Sequence, residues 1–461
     1  MLRKRRQRKV KYQNDNGEYV ILQPHQTFWA AYYVVSPDIE DSLYHVKFRR
    51  RFRLPYDSFL HILALLKEDL RFKRWNKSKT LKNIKLPLLL LGALRYLGRG
   101  WCFDDLEEAT CISEEVHRIF FHKFITYGAE ILYPMFVKYP TNSQEMEEHT
   151  KEFEIAGFHG AVGSMDACHV LMEKCSHRLK QNHLGGKSKQ TCRSFNLTCN
   201  HRRKILHTTC GHPARWNDKT IVLYDKLAVG IRQGDLLNDN IFELNDKSPD
   251  GEKMKVKYKG AWLLVDNGYL NWGNTISPMK RTVYRNETRW SEWLESMRKD
   301  VECTFGIMKG RFRILKAGIR MHGVNSTDKI WLTCCALHNL LIDVDGLSEE
   351  WLGQMGQHDP IQEGETIPYA LQRLENGRTA RNYDTSGMGP GFIVECTDSD
   401  EPVNTSPISS EECLSNGDGI ISSNGINDLC MLSNVTFRKK LITHFDILFS
   451  EKNIKWPRRA S

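Results

Sequence analysis

The chain reads as an α/β protein preceded by an all-helical domain, and three observations carry that reading. Apolar residues recur at helical spacing from about residue 46 to 150. From about 158 the texture changes to short apolar runs separated by polar turns. One long helical pattern then follows, so strands precede a helix and carboxylates stand at strand ends, as in layered α/β folds.

The totals set the frame. At 461 residues the chain is long for one domain, and 40% hydrophobic residues suffice for a sizeable core. The formal net charge of +10 favours an anionic partner, nucleic acid being the commonest, although a generic basic enzyme fits the charge equally. The 13 cysteines are odd in number and scattered without a regular frame, which reads as reduced thiols of an intracellular protein. The N-terminus MLRKRRQRKVKY has no apolar core and is not a secretory signal. The most apolar run, at 86–97, is too short to cross a membrane and contains an arginine. The sequon Asn196-Leu-Thr198 is therefore expected to go unused.

Taken in order, residues 1–45 read as a basic, mostly irregular arm. Seven cations fall between Arg3 and Lys11 with no acid, a nuclear localisation patch, a DNA-clamping arm or a solvated terminus. Residues 46–150 form the helical domain. Phe59, Ile62, Leu63, Leu66 and Leu70 make one helical face, and Leu86 to Leu97 reads as a buried helix entered through Pro87. FDDLEEATC, a turn, and EEVHRIFFHKFI capped by Ser113 have the outline of a helix-turn-helix. Val116, Ile119, Phe120 and Phe124 point inward on that pattern, while Arg118, His122 and Lys123 face out; structural packing and DNA reading both fit.

The α/β domain is expected over 155–345. TCRSFNLTCN and ILHTTCG flank the turn HRRK as a β-hairpin, and Asn217 caps a helical stretch. AWLLVDNGYL is an apolar strand ending at Asp266. A long helix then carries Trp290, Trp293, Leu294, Met297, Val301, Phe305, Met308, Phe312 and Leu315 at spacings of three and four. DKIWLTCCALHNLLIDV closes the core. Residues 346–428, rich in Gly, Ser, Asn and acids, read as a disordered linker, and 429–461 as a short C-terminal helical segment.

Three carboxylates stand out. Asp166 follows the apolar AVGSM and Asp266 follows WLLV; a buried carboxylate is costly unless paired, hydrogen-bonded or bound to metal. In Asp-Asn-Gly, Asp266 also suits a turn. Glu302 lies inside the long helix, on a stripe with Arg298, Gly306, Lys309 and Arg313. That stripe is either a set of helix salt bridges or one metal ligand flanked by phosphate contacts. Two-metal phosphoryl transfer requires acids converging on cations about 4 Å apart, and Mg²⁺ prefers such oxygen ligands. Two strand-end aspartates and a helix glutamate supply that set. Other motifs fail: Gly186-Lys187-Ser188 has Gln181 where a phosphate loop requires glycine, and Cys334-Cys335-x-x-His338 lacks zinc spacing and reads as core.

GSMDACHV, LLVDNGYL and RKDVECTFGIMKGRFRIL, with CCALHNLL at 334–341, resemble the DDE transposases of the PIF/Harbinger superfamily over roughly 46–345. The order aspartate, aspartate, glutamate falls on Asp166, Asp266 and Glu302, with spacings of 100 and 36 residues. The resemblance implies an RNase H-like catalytic core, a mixed sheet flanked by helices, with those three acids as catalytic residues holding two Mg²⁺ or Mn²⁺ ions. Arg298, Lys309, Arg311 and Arg313 are then the nucleic-acid contacts. It implies a nuclear DNA endonuclease and strand-transferase, with DNA and a separate Myb-like DNA-binding protein as partners and homo-oligomerisation left open. The alternative is a catalytically inactive domesticated transposase that binds DNA; a ribonuclease is a third reading. One departure is PARWNDKTI at 213–221, where only Pro213 and Asp218 fit the family's Pro-Gly-Ser-x-x-Asp run; Asp218 is a site candidate of open role.

Overall fold

The computed structural model describes residues 11–13, 19–21, 23–33, 43–76, 85–186, 189–347 and 426–456. The basic run at 3–9 and nearly all of the expected linker at 346–428 lie outside the described residues. Contacts divide the chain into a unit of residues 1–134, 308–319 and 329–341, and a second of 135–307, 320–328 and 342–461.

In the first unit, β1 (Lys11–Gln13) pairs antiparallel with β2 (Tyr19–Ile21). Helices α1 (Phe28–Tyr33), α2 (Leu43–Phe52), α3 (Tyr56–Glu68), α4 (Lys85–Arg99), α5 (Phe103–Thr110) and α6 (Glu114–Tyr127) follow. The stretch read as irregular thus holds a strand pair and α1. α4 is buried on almost every side, so its apolar run has no polar stripe. Leu70 falls beyond the end of α3 and is 80% exposed, so the helical face read from the sequence stops at Leu66.

Between α5 and α6, Cys111 takes a left-handed conformation (φ 54°) that turns the chain sharply. Ser113 occupies the N-cap position without making a side-chain cap; the Glu107 carboxylate accepts from the Glu114 N–H instead (2.8 Å). Phe120 and Phe124 are buried, whereas Val116 and Ile119 are only half-buried. His117 is the inward residue the apolar pattern hid: its Nε2 lies 2.7 Å from Thr110 Oγ1, and burial pushes its pKa down to about 3. A π-helical segment, Gly128–Leu132, prolongs α6 into α7 (Tyr133–Phe136). A Cβ on Gly128 would stand 2.2 Å from Thr333 Oγ1, so only glycine admits that approach.

The second unit begins with α8 (Ser143–Ile155), followed by β3 (Ala161–Leu171), α9 (His177–Lys180), β4 (Cys192–Cys199), β5 (Ile205–Thr208) and β6 (His212–Pro213). α10 (Asp218–Ile221), α11 (Lys226–Gln233), β7 (Ile241–Lys247), β8 (Lys253–Lys259), β9 (Trp262–Leu264) and β10 (Thr275–Ile276) come next. Of the later elements, α12 (Arg285–Arg311) and α14 (Val324–Val344) have residues in both units, α13 (Ile314–Ala317) lies in the first, and β11 (Ile426–Asp428) and α15 (Asn434–Ser450) belong to the second. The main sheet is mixed, in the order β10-β9-β3-β4-β5, with β6 also on β4. β9 runs parallel to β3 and to β10, while β4 runs antiparallel to β3 and β5. The β4–β5 hairpin is the one read from the sequence, and Asn217 caps α10 through Thr220 N (2.9 Å).

Alternation along β3 and β9 sends side chains into two cores. Ala161, Trp262 and Leu264 face Trp290, Trp293, Leu294 and Met297 of α12; Val162, Met165, Leu263 and Val265 face Leu227, Ala228 and Ile231 of α11. The C-terminal segment, which read as a short appended helix, belongs to the first of these cores. Phe437, Leu441 and Phe445 of α15 are buried there, each contributing about 1.5–3 kcal/mol of apolar burial. β11 extends the β7–β8 hairpin in parallel beside β8. Asn196 is fully buried, which leaves its sequon inaccessible to glycosylation.

Candidate active site

The site starts from register. Parallel pairing sets Ser164 opposite Leu264, and two residues further along each chain stand Asp166 and Asp266. Ser164 Oγ donates to the Met297 carbonyl of α12 (3.3 Å), which places that helix over the face that Asp166, two residues on, shares. Asp166 Oδ1 accepts from the Ala167 N–H (2.8 Å). Burial pushes the Asp166 carboxyl up to about 7; the Arg298 guanidinium and the Ala167 N–H oppose that, and the nearby Asp266 and Asp218 charges reinforce it. Asp266 follows the end of β9, and its Oδ1 accepts from Gly268 N (2.7 Å). It is a turn former and a neighbour of Asp166 at once.

Asp218 joins them. It opens α10 directly after the Asn217 cap, and its carboxylate also reaches Gly268. A Cβ on Gly268 would lie 2.6 Å from Asp218 Oδ2 and 2.8 Å from Asp266 Oδ1. The bare glycine is the cradle across which the two carboxylates converge. Sequence reasoning had left Asp218 without a role; its position among the aspartates is set by the cap.

Glu302 is arranged differently. It sits on α12 with its side chain 48% exposed, and Arg298 Nη2 holds its Oε1 at 2.9 Å. The same guanidinium reaches Glu295 Oε1 (2.6 Å) and, through Nη1, Asp166 Oδ2 (3.5 Å). Burial disfavours the Arg298 charge, but Glu295, Asp166 and Glu302 together more than offset it and raise its pKa. Arg298, expected to contact phosphate, is instead spent on three carboxylates. Among the described residues, the set of three potential ligands closing within 4.8 Å is Cys102, Asp104 and Asp105 at the start of α5; Asp166, Asp218 and Asp266 do not all close to that distance, with or without Glu302.

Sequence reasoning also missed the buried frame beneath the acids. Tyr269, fully buried, donates to Asn196 Oδ1 (2.6 Å), and Asn196 Nδ2 donates to Asp225 Oδ2 (2.6 Å). Asp225 caps α11 through Leu227 N and Ala228 N (3.0 Å each). Burial first, then the charges of Asp166, Asp218, Asp266 and Asp225, raise the Tyr269 phenol well above its ordinary value, so it stays a neutral donor. An aspartate directly before KLAVGIRQ is an N-cap signal that the sequence did offer.

The remaining expected phosphate contacts, Lys309, Arg311 and Arg313, fall in the first unit. Lys309 and Arg311 are half-buried, with an Arg311 nitrogen 3.4 Å from His338 Nδ1, and Arg313 is exposed. Cys334, Cys335 and His338 are buried in the core.

The comparisons with known proteins point to a transposon-related chain. The profile of a family described as plant transposon protein matches residues 135–348. A curated relative, Protein ALP1-like of Arabidopsis thaliana, is 22% identical over 318 residues, covering 68% of this chain and 74% of that protein. No solved structure matches. Both matches support a likeness to the PIF/Harbinger superfamily of DDE transposases and their nuclease-like derivatives. Among the described residues no helix is long and apolar enough to cross a membrane.

Proposed function

We propose that the chain is a DNA endonuclease of the DDE type, dependent on Mg²⁺ or Mn²⁺, that cuts and joins phosphodiester bonds. The observation that carries this reading is the convergence of Asp266 and Asp218 at Gly268 beside a half-buried Asp166. Like charges at this density cost folding energy unless a cation neutralises them. The donors are all carboxylate oxygens, which suits a hard divalent ion, and the bare Gly268 leaves room at their meeting point. Asp166 and Asp266, with Asp218 beside them, would hold the metals. Bound there, the ions supply charge neutralisation on the phosphoryl oxygens and activation of the attacking hydroxyl.

The protein's own contribution is positioning. β3 and β9 fix the aspartates by register, and the Tyr269–Asn196–Asp225 chain holds the layer beneath them. Glu302 completes the set by leaving Arg298, whose guanidinium already spans Glu302 and Asp166. The mixed sheet flanked by helices supports an RNase H-like core. Nuclear action and a Myb-like DNA-binding partner follow from the superfamily.

One observation favours a second reading, a DNA-binding protein that has lost activity: Glu302 is neutralised by Arg298 and turned to solvent. Incubating the full chain with Mg²⁺ or Mn²⁺ and DNA carrying the terminal repeats that flank its gene separates the two. Cleavage lost in Asp166→Asn, Asp266→Asn and Glu302→Gln supports the enzyme. Tight binding without cleavage supports the rival.

A further inference from the structure

Beside the aspartates lies an open cleft of about 280 Å³, and its charge is the reverse of theirs. Lys219, Lys280, Arg281 and Arg438 line it, with no carboxylate on its wall. Two links tie it to the acids. Lys219 follows Asp218 in the chain, and Asn267 and Tyr269, also on its wall, flank the Gly268 cradle. The cations come from three separate segments, α10, the loop before α12, and α15, so no local pattern announces them.

None of these four is neutralised. Among the described residues none of them has a carboxylate or other hydrogen-bonding partner. Several other arginines of the chain are paired: Arg71 with Asp69 and Glu130, Arg118 with Glu115, Arg193 with Asp328, Arg202 with Glu152. Arg438 is half-buried, and burial lowers its pKa, so holding it there unpaired costs the fold. Acids close by would accept these cations, yet Asp218 and Asp266 are aimed at Gly268 instead. Four convergent cations left unpaired beside an acid cluster are arranged for an external anion.

We infer that this cleft seats the phosphodiester backbone of the DNA strand entering the aspartate site, with Lys280, Arg281 and Arg438 as its main phosphate contacts. The inference rests on the endonuclease reading for the choice of DNA. It shifts the phosphate contacts away from Arg298, whose charge is already satisfied, and it gives the C-terminal helix a binding function that lies beyond residues 135–348.

The test uses the full chain, fluorescein-labelled duplex DNA, EDTA to prevent cutting, and anisotropy over a salt series. Lys280→Gln/Arg281→Gln removes two phosphate contacts, so the slope of log affinity against log salt falls by about 1.8; Arg438→Gln lowers it by about 0.9. At 100 mM salt the double variant binds about tenfold or more weakly, and Lys280→Arg binds as wild type. Unchanged melting temperatures show that the variants are folded, and unchanged Mn²⁺ binding by calorimetry shows that the acids are undisturbed. A slope and affinity equal to wild type in both variants overturns the inference, as does tighter binding of the same sequence as RNA. Asp266→Asn keeps the failures apart. If it still cuts DNA while Lys280→Gln/Arg281→Gln loses its slope, the assignment of the aspartates as the catalytic site fails and the cleft stands. If it abolishes Mn²⁺ binding while the double variant binds normally, the cleft fails alone.

Discussion

His117 in the helical unit is buried and Asp166 in the α/β unit half-buried, and desolvation drives both toward their neutral forms. Their surroundings then diverge. His117 meets a hydroxyl, Thr110, and desolvation alone accounts for its shift. Asp166 meets Asp218 and Asp266, two more charges of its own sign, and one shared guanidinium. The first environment is a solved packing problem. The second carries an electrostatic cost that a divalent cation would remove, and that contrast locates the chemistry better than burial alone.

The contrast breaks most visibly at Asp266. Asp266→Asn keeps the shape and the acceptor for Gly268 N but removes a charge. Metal-dependent cleavage should fall by about two to three orders of magnitude, because charge stabilisation is most of phosphoryl-transfer catalysis. DNA affinity in EDTA should hold or rise slightly. Single-turnover cutting and anisotropy on one preparation read both; equal losses in the two would mean that the residue is structural.

Gly268→Ala sharpens the same point without touching a charge. Its Cβ would collide with Asp218 Oδ2 and Asp266 Oδ1, so the carboxylates must move apart. Displacement on this scale costs cleavage about tenfold to a hundredfold. The loss should appear as a lower kcat and weaker Mn²⁺ binding with a normal melting curve. Wild-type Mn²⁺ affinity would show that the two acids do not share an ion.

The sequence made much of this legible, and the reasons are physical. The period of 3.6 revealed α12 because one face stays buried from Trp290 to Met308, although Phe305 is half-buried and the helix read as running to Leu315 ends at Arg311. Asp266 stands just past the end of β9 as read, whereas Asp166 lies in the middle of β3 rather than at a strand end. Asp218 was harder, since its approach to Gly268 depends on the Asn217 cap and the fold of α10. The glutamate helix was read as a basic stripe, but spacing cannot tell that Arg298 turns inward onto three acids. The place of α15 in the core was out of reach, because it rests on contacts across almost two hundred residues, such as His444 Nδ1 with Asn245 N (2.8 Å).

The pH response tests the helical side of the comparison. His117 has its folded pKa depressed to about 3, below the unfolded value near 6.5. The unfolded chain therefore binds the extra proton as pH falls, so the stability is present above about 6.5 and is lost as pH drops toward 3. Between pH 6.5 and 5 that loss is about 2 kcal/mol. Urea titrations of wild type and His117→Gln should show a flatter pH dependence in the variant; identical slopes would place His117 outside the acid response.

The smallest expected effect is a gain. Asp166→Asn removes a carboxylate that burial and two like charges disfavour, while an amide oxygen still accepts from Ala167 N. The metal-free variant at pH 8 should be more stable than wild type by about 1 kcal/mol, read as a rise of a few degrees in melting temperature. A lower melting temperature would mean that the Asp166–Arg298 contact outweighs the repulsion.

The most direct test of the account is Mn²⁺ calorimetry on the full chain beside cleavage of the terminal-repeat DNA, for wild type and Asp266→Asn. The account predicts that wild type binds Mn²⁺ and cuts only when it is bound, and that Asp266→Asn loses both together. Cutting that survives in Asp266→Asn, or Mn²⁺ binding that the substitution leaves unchanged, would contradict it.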